Sequence, residues 1–374
     1  MKCSIVGVGS VSAAGVGQGA ALATFRSGRP TFATHREPRL PVYAVPWLPD
    51  SGPVARFASK RALDRTSLLA LHAAREAVER AGWLNRDFSI LVGCSRGPTT
   101  AWESSFDSFR TTADVPLRTS PLTTLGSIPF ALADFFGTGQ LSTGMSVTCS
   151  SGSHALLQGM ALLAAGFTDR VLVGGTEAPL TPFTLRQMQV LRVYDESGGP
   201  FPCRPLIDSP EGMVLGEGAA FLALERYDAD RELHVLGIGA ARERHPSQTG
   251  ISSDARALQH AMRQAVADRN EPPDAILLHA PGTRRGDAAE RQAVAQVFPT
   301  IRPRMTSLKW ATGHTFGASG PLAMAAADLM LRNGEVWPLP YRTEPSTRVT
   351  PSSVLVNATG FGGNAISVLI GRGD

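Results

Sequence analysis

The chain has 374 residues, 43% of them hydrophobic and 18% charged, which supplies a large buried core and excludes a disordered protein. Its formal net charge of +4 is carried by scattered arginines, with no long basic run of the kind that binds nucleic acid. The four cysteines, Cys3, Cys94, Cys149 and Cys203, are far apart and form no C-x-x-C pair, so neither a zinc site nor a disulfide framework is expected.

The first twenty residues are apolar, but Gly7, Gly9, Gly15, Gly17 and Gly19 break the helical core that a signal peptide needs. No run approaches the ~20 apolar residues of a membrane span, so reduced thiols in a cytoplasmic protein are expected. Ser4-Ile-Val-Gly-Val-Gly-Ser10 reads as a buried strand running into a glycine turn. Its Gly7, Gly9 and Ser12 brush against a dinucleotide-binding fingerprint, yet the third glycine is missing and no acidic residue follows about twenty positions on. Arg56, Lys60, Arg61 and Arg65 head a helical pattern, as a solvated face or a dock for an acidic partner. An apolar period near 3.6 predicts a helix over 66–81, ended by Gly82, then a strand over 88–93.

His234-Val-Leu-Gly-Ile-Gly-Ala240 repeats the opening pattern, followed by a helix over about 254–268 and a strand over 275–280. Two related halves, 1–230 and 231–374, are therefore expected, each a mostly parallel sheet covered by helices and both sharing one core. The segments 38–53, 195–212 and 337–352 read as loops.

Gly144-Met-Ser-Val-Thr-Cys149-Ser-Ser-Gly-Ser-His154 is a short apolar run that ends in a cysteine and opens onto small residues. Such a cysteine would sit where a strand gives way to a helix, with free helix N–H groups and the positive dipole end beside its sulfur, which suits a thiolate nucleophile. Taken alone, a lone cysteine in apolar surroundings is more often a small buried core residue. Four later segments change the balance: Gly174-Gly-Thr-Glu-Ala-Pro179, Gly212-Met-Val-Leu-Gly-Glu-Gly218, the run from Ser307 through Lys309 and Gly313-His314 to Gly320, and Gly360-Phe-Gly-Gly-Asn364. With Cys149 they resemble the β-ketoacyl synthases of fatty-acid and polyketide assembly, over essentially the whole chain.

The resemblance implies an α/β, thiolase-like, five-layered αβαβα architecture from two pseudo-repeated halves, and a dimer whose interface includes 123–139. It implies no bound cofactor or metal, since substrates arrive as thioesters on the phosphopantetheine arm of an acyl carrier protein. Cys149 would attack the acyl thioester, with the backbone N–H groups of Cys149 and Thr359 as oxyanion donors and Gly360, Phe361 and Gly362 shaping the gate. His314 would donate a hydrogen bond to the malonyl thioester carbonyl, and Lys309, paired with Glu290, would organise the site.

Several positions depart from the family pattern, Thr359, Leu206-Ile207 and Pro210-Glu211 among them, and one bears directly on the chemistry. The family's other active-site histidine sits in an Ala-His-Gly-Thr segment, whereas this chain reads His279-Ala-Pro281-Gly-Thr283, placing proline where that histidine is expected. His279 could substitute, although two residues along a strand is about 6.6 Å and catalytic hydrogen bonds need roughly 3 Å. The expectation is thus an acyl-accepting synthase with weakened or absent decarboxylative condensation. The alternative is a chain-length-factor-like partner in a heterodimer, and the dimer itself is left open as homo or hetero.

Overall fold

A computed structural model describes residues 1–244, 252–343 and 349–373. Ten strands make up the body of one continuous sheet: β1 (Cys3–Ser12), β2 (Ser89–Gly93), β3 (Ser142–Met145), β4 (Arg170–Glu177), β5 (Gly218–Arg226), β6 (Leu233–Arg242), β7 (Ala275–Leu277), β8 (Arg304–Thr306), β9 (Ser353–Gly360) and β10 (Asn364–Arg372). Their spatial order is β8-β7-β9-β10-β6-β1-β5-β4-β2-β3. Each strand of the first five therefore has its counterpart five numbers later. In both sets the outer three strands run parallel, and the remaining pairings are antiparallel. The sets are knitted together only where Cys3, Ser4 and Ile5 face Val235, His234 and Leu233.

Helices complete five layers. On one outer face α1 (Arg65–Ala81) packs on β1 and β5, and on the other α3 (Arg256–Ala265) packs on β6 and β10. Between the two half-sheets lie α2 (Ser151–Ala164) and α4 (Ser319–Asn333), each touching strands of both. The α1 boundaries follow from chemistry: the Asp64 carboxylate accepts from the Thr66 N–H at 2.8 Å, and Gly82 takes the left-handed φ of +70° past the end.

The repeated Gly-x-Gly pattern has a packing cause rather than a nucleotide one. A Cβ on Gly7 or Gly9 would stand 2.2 Å from the carbonyl oxygens of Ala77 and Ala73, one helical turn apart on α1. A Cβ on Gly237 or Gly239 would stand 2.0 and 2.1 Å from those of Ala265 and Ala261 on α3. The same two glycines per half thus let a helix lie directly on its strand.

The expected helix over 254–268 is shorter, and the expected strand over 275–280 stops at Leu277. The segment 38–53 contains the short strand Leu40–Val42 and the first turn of Gly52–Ala58, 195–212 is irregular, and of 337–352 residues 344–348 lie outside the described residues. Arg65 is drawn inward as a bidentate partner of the buried Glu217, so the basic cluster is not wholly a solvated face. Arg61 lies over the Phe57 ring. No helix among the described residues is long and apolar enough to cross a membrane.

Candidate active site

Cys149 follows β3 by four residues and precedes α2 by two. The turn that presents it carries Thr148 at φ +51°, a left-handed conformation that costs a side-chain-bearing residue on the order of 1–3 kcal/mol. That conformation is held from the β9–β10 turn: Thr148 Oγ1 donates to the Phe361 carbonyl at 3.1 Å, and a Cβ on Gly360 would stand 2.2 Å from Thr148 Oγ1. Thr359, expected to give an oxyanion donor, remains in the ladder opposite Ala365, and Gly360 and Phe361 are the residues that reach the Cys149 turn. Gly360 and Phe361, two of the three residues expected at the gate, line the cavity that holds Cys149 together with Thr359; Gly362 is not among its lining residues.

This cavity, of about 440 Å³, has Cys149, His279, Pro281 and His314 in its wall. His314 is buried, and its Nδ1 accepts from the Phe316 N–H at 3.1 Å. The ring proton therefore belongs on Nε2, which makes that nitrogen a donor. His279 is also buried; its ring meets that of His314 edge to face with centroids 5.1 Å apart, and its Nδ1 finds no partner among the described residues.

These positions overturn the strand spacing used to place His279 relative to Pro281. The 6.6 Å argument assumes a strand through 279 and 281, but β7 ends at Leu277 and the chain bends at Ala280, where φ is +24°. His279 and Pro281 consequently share the cavity wall, and the imidazole of His279 faces that of His314.

Lys309 and Glu290 also meet differently from expectation. Lys309 Nζ donates to the His279 carbonyl, while Glu290 accepts from the N–H groups of His279 and Ala280 at 2.9 and 2.7 Å. Among the described residues Lys309 and Glu290 form no direct ion pair; cation and anion clamp the same stretch of backbone from its two sides. Asn357 Nδ2 supplies a further donor to Glu290 at 3.1 Å.

Burial decides the charge states. It pushes the Cys149 thiol up to about 12, the Glu177 carboxylate adds to the rise, and Lys309 and Arg96 oppose it. Burial thus opposes the expected thiolate more strongly than Lys309 and Arg96 favour it. Burial, reinforced by the positive charge of Lys309, holds both His279 and His314 well below the usual imidazole range, so both rings are neutral. Burial lowers Lys309 as well, with Glu290 opposing.

Glu177 lay within a motif but without an assigned role. It is fully buried and accepts from the N–H groups of Ser95, Arg96 and Gly317, tying the wall beside Cys149 to the turn after His314. Its signal in sequence is an acid at the end of a glycine-rich apolar strand. Asn357 gives no comparable signal, since it reads as one polar residue in an apolar run.

Two family models match the chain: β-ketoacyl synthase, N-terminal domain, over residues 54–229, and β-ketoacyl synthase, C-terminal domain, over 234–340. Nodulation protein E of Rhizobium leguminosarum bv. trifolii is 30% identical over 334 residues, covering 82% of this chain and 80% of that protein. The 3-oxoacyl-(acyl-carrier-protein) synthase 2 of Staphylococcus aureus strain COL is 28% identical over 348 residues, 82% of each. Among solved structures, a chain from the complex of a ketosynthase with its chain length factor from Xenorhabdus doucetiae shares the fold at a TM-score of 0.84 and 21% identity, covering 99% of this chain and 98% of that one.

Proposed function

Because this chain belongs to the β-ketoacyl synthase family, we propose that it is a condensing enzyme equipped with Cys149, His279 and His314, acting on thioesters carried by an acyl carrier protein. The observation that supports this reading is the pair of neutral imidazoles facing one another in the cavity that holds the nucleophile. On this reading the site is equipped for elongation as well as acyl transfer.

In the first half-reaction the Cys149 sulfur bonds to the acyl carbon, the carbon–sulfur bond to the carrier breaks, and the thiol proton ends on the departing carrier sulfur. The developing oxyanion is met by backbone N–H groups of Cys149 and of Phe361, the first residue beyond the strand ladder. In the second half-reaction the bond from the malonyl α-carbon to its carboxylate breaks and carbon dioxide leaves. The electron pair moves into the thioester carbonyl, where His279 and His314 donate hydrogen bonds to the enolate oxygen. The α-carbon then attacks the acyl–Cys149 carbonyl and expels the cysteine sulfur. Neutral donors suit this step because they do not have to give up a charge as carbon dioxide forms.

Three exposed arginines at the cavity mouth, Arg192, Arg284 and Arg285, support an acidic carrier protein as the substrate's bearer. Intact-mass measurement after mixing with an acyl carrier thioester tests the first step, and release of carbon dioxide from malonyl carrier protein tests the second. Acylation lost in Cys149→Ala and carbon dioxide release by the unaltered protein support the enzyme. Absence of both sinks it.

A second reading, partner subunit to another ketosynthase, is favoured by a different observation. Among the described residues β3 is the last strand at one edge of the sheet; the helix Ser127–Phe136 packs on it, and Phe130 of that helix, like Trp102, Phe106 and Phe109 of the helix Thr99–Thr112, is more than half exposed. Phe130 falls within the expected interface 123–139. This face suits a second ketosynthase-fold chain, identical or not.

A further inference from the structure

Behind the clamped His279 backbone lies a buried chain of hydrogen bonds that reaches away from the cavity. Asn357 on β9 and Ser367 on β10 are directly opposite in the antiparallel register, so their side chains share one face. Both are buried; Ser367 Oγ donates to Asn357 Oδ1 at 2.8 Å, and Asn357 Nδ2 donates to Glu290 Oε1 at 3.1 Å. The amide orientation follows from chemistry, since the carboxylate of Glu290 only accepts and must face the Nδ2 end. Met262 Sδ lies 3.5 Å from the same nitrogen.

Glu290 has two oxygens, and each is committed to a different backbone N–H: Oε1 to His279 and Oε2 to Ala280. The plane of the carboxylate therefore sets the orientation of two successive peptide groups. Those groups lead directly into Ala280, whose left-handed φ of +24° has no glycine to ease it. Without an outside anchor the Glu290 side chain could rotate about its last torsion, which is soft. Asn357 is the side-chain donor on Oε1, and Ser367 fixes Asn357 in turn.

We propose that Asn357, oriented by Ser367, is a positioning residue for His279, acting through Glu290 to hold the imidazole where the enolate oxygen forms. This rests on the ketosynthase reading above. Its consequence is selective. Acylation uses Cys149 and backbone donors, whereas decarboxylation also needs His279, so disturbing Asn357 separates the two steps.

The test uses the full chain with an acyl carrier thioester for acylation and malonyl carrier protein for carbon dioxide release. Asn357→Asp keeps the volume and the acceptor for Ser367 but removes the N–H and sets one carboxylate against another. At about pH 8 it is expected to lower carbon dioxide release on the order of 10- to 100-fold, the range a misplaced catalytic group costs, while acylation stays within about twofold. The deficit relative to the unaltered protein should shrink as pH falls, because one proton shared between the introduced carboxylate and Glu290 restores a hydrogen bond. Lys309 and the backbone N–H of His279 also face Glu290, and Asp287 lies one turn back on the helix Arg284–Val297; all three are unchanged by the substitution. Ser367→Ala, a smaller change that keeps Asn357, should lower carbon dioxide release several-fold with acylation intact, and it decides the matter if Asn357→Asp does not fold. Equal loss of both steps, or loss of neither, overturns the proposal. If the unaltered protein acylates Cys149 but releases no carbon dioxide, the role of His279 fails and the inference with it; if it does neither, the enzyme reading itself has failed.

Discussion

The imidazoles of His279 and His314 meet edge to face, ring centroids 5.1 Å apart and planes at 82°, on the wall of the cavity that holds Cys149. If both rings serve the enolate, replacing either by alanine should lower carbon dioxide release from malonyl carrier protein on the order of 10²–10³-fold, the usual cost of one oxyanion donor. Acylation of Cys149 should fall far less in both variants. Pro281→His is expected to gain nothing, because the imidazole it would supply is already present. A rise in carbon dioxide release in that variant would restore position 281 to the role expected from sequence.

The pH dependence of that step follows from the direction of the histidine shifts. Burial and the Lys309 charge lower both imidazoles, so the neutral form persists on the acid side of their usual value and is lost only when pH drops through the lowered one. Carbon dioxide release should therefore be level from about pH 8 down to about pH 6.5, with its acid fall lying below the ordinary imidazole value. A fall centred near pH 6.5 in the rate profile would show rings that are not desolvated.

The thiol behaves in the opposite sense. With Cys149 pushed up to about 12, the thiolate fraction keeps growing throughout the accessible alkaline range. Alkylation by iodoacetamide, followed by intact mass, should rise roughly tenfold per pH unit from about pH 7 to about pH 9 without levelling. Glu177→Gln removes the carboxylate that contributes to the rise and should speed alkylation at every pH, at some cost in stability because three backbone N–H groups lose a charged acceptor. Levelling near the ordinary cysteine value would mean that the helix terminus, not burial, governs the sulfur.

Much of this architecture is visible in the sequence because it depends on local signals. The doubled Gly-x-Gly announces two related strands, and the apolar period ended by Gly82 announces α1. Cys149 between an apolar run and small residues announces a strand, turn and helix. What stays hidden depends on where the chain bends and which strands become neighbours. Pro281 looks like a lost histidine until β7 is seen to stop at Leu277 and Ala280 to bend without a glycine. Lys309 and Glu290 look like an ion pair because opposite charges suggest one, whereas their shared target is a peptide that no side-chain pattern reveals. Asn357 and Ser367 become partners only through the antiparallel register of β9 and β10.

The packing explanation of the repeated glycines carries its own measurement. Gly239→Ala would put a Cβ 2.1 Å from the Ala261 carbonyl, which the α3 backbone can relieve only by moving off the sheet. A loss of about 3 kcal/mol, or failure to fold, is expected in denaturant titration. Gly19→Ala is the control: it lies in the helix Gln18–Ser27 with nothing within 4 Å of its added Cβ and should be neutral or stabilise by up to about 1 kcal/mol. Equal midpoints for the two variants would remove close packing as the reason for the repeat.

The exposed aromatic face of the helix Thr99–Thr112 carries the last expectation. Trp102, Phe106 and Phe109 project from the helix Thr99–Thr112 with 56, 53 and 51% of their surface exposed, and the Trp102 indole N–H is anchored on the Thr123 carbonyl. Three large rings left in water on one helix are costly for an isolated chain and are relieved when a second chain covers them. Sedimentation of the purified protein should therefore give twice the chain mass, and the double substitution Trp102→Glu with Phe106→Glu should give single chains. These substitutions touch neither Cys149 nor either histidine, so acylation lost with the dimer would mean that the partner chain completes the acyl pocket. A single chain that pairs only after a second ketosynthase subunit is added would favour the partner reading, and a single chain under both conditions would show that this face is not an interface between ketosynthase folds.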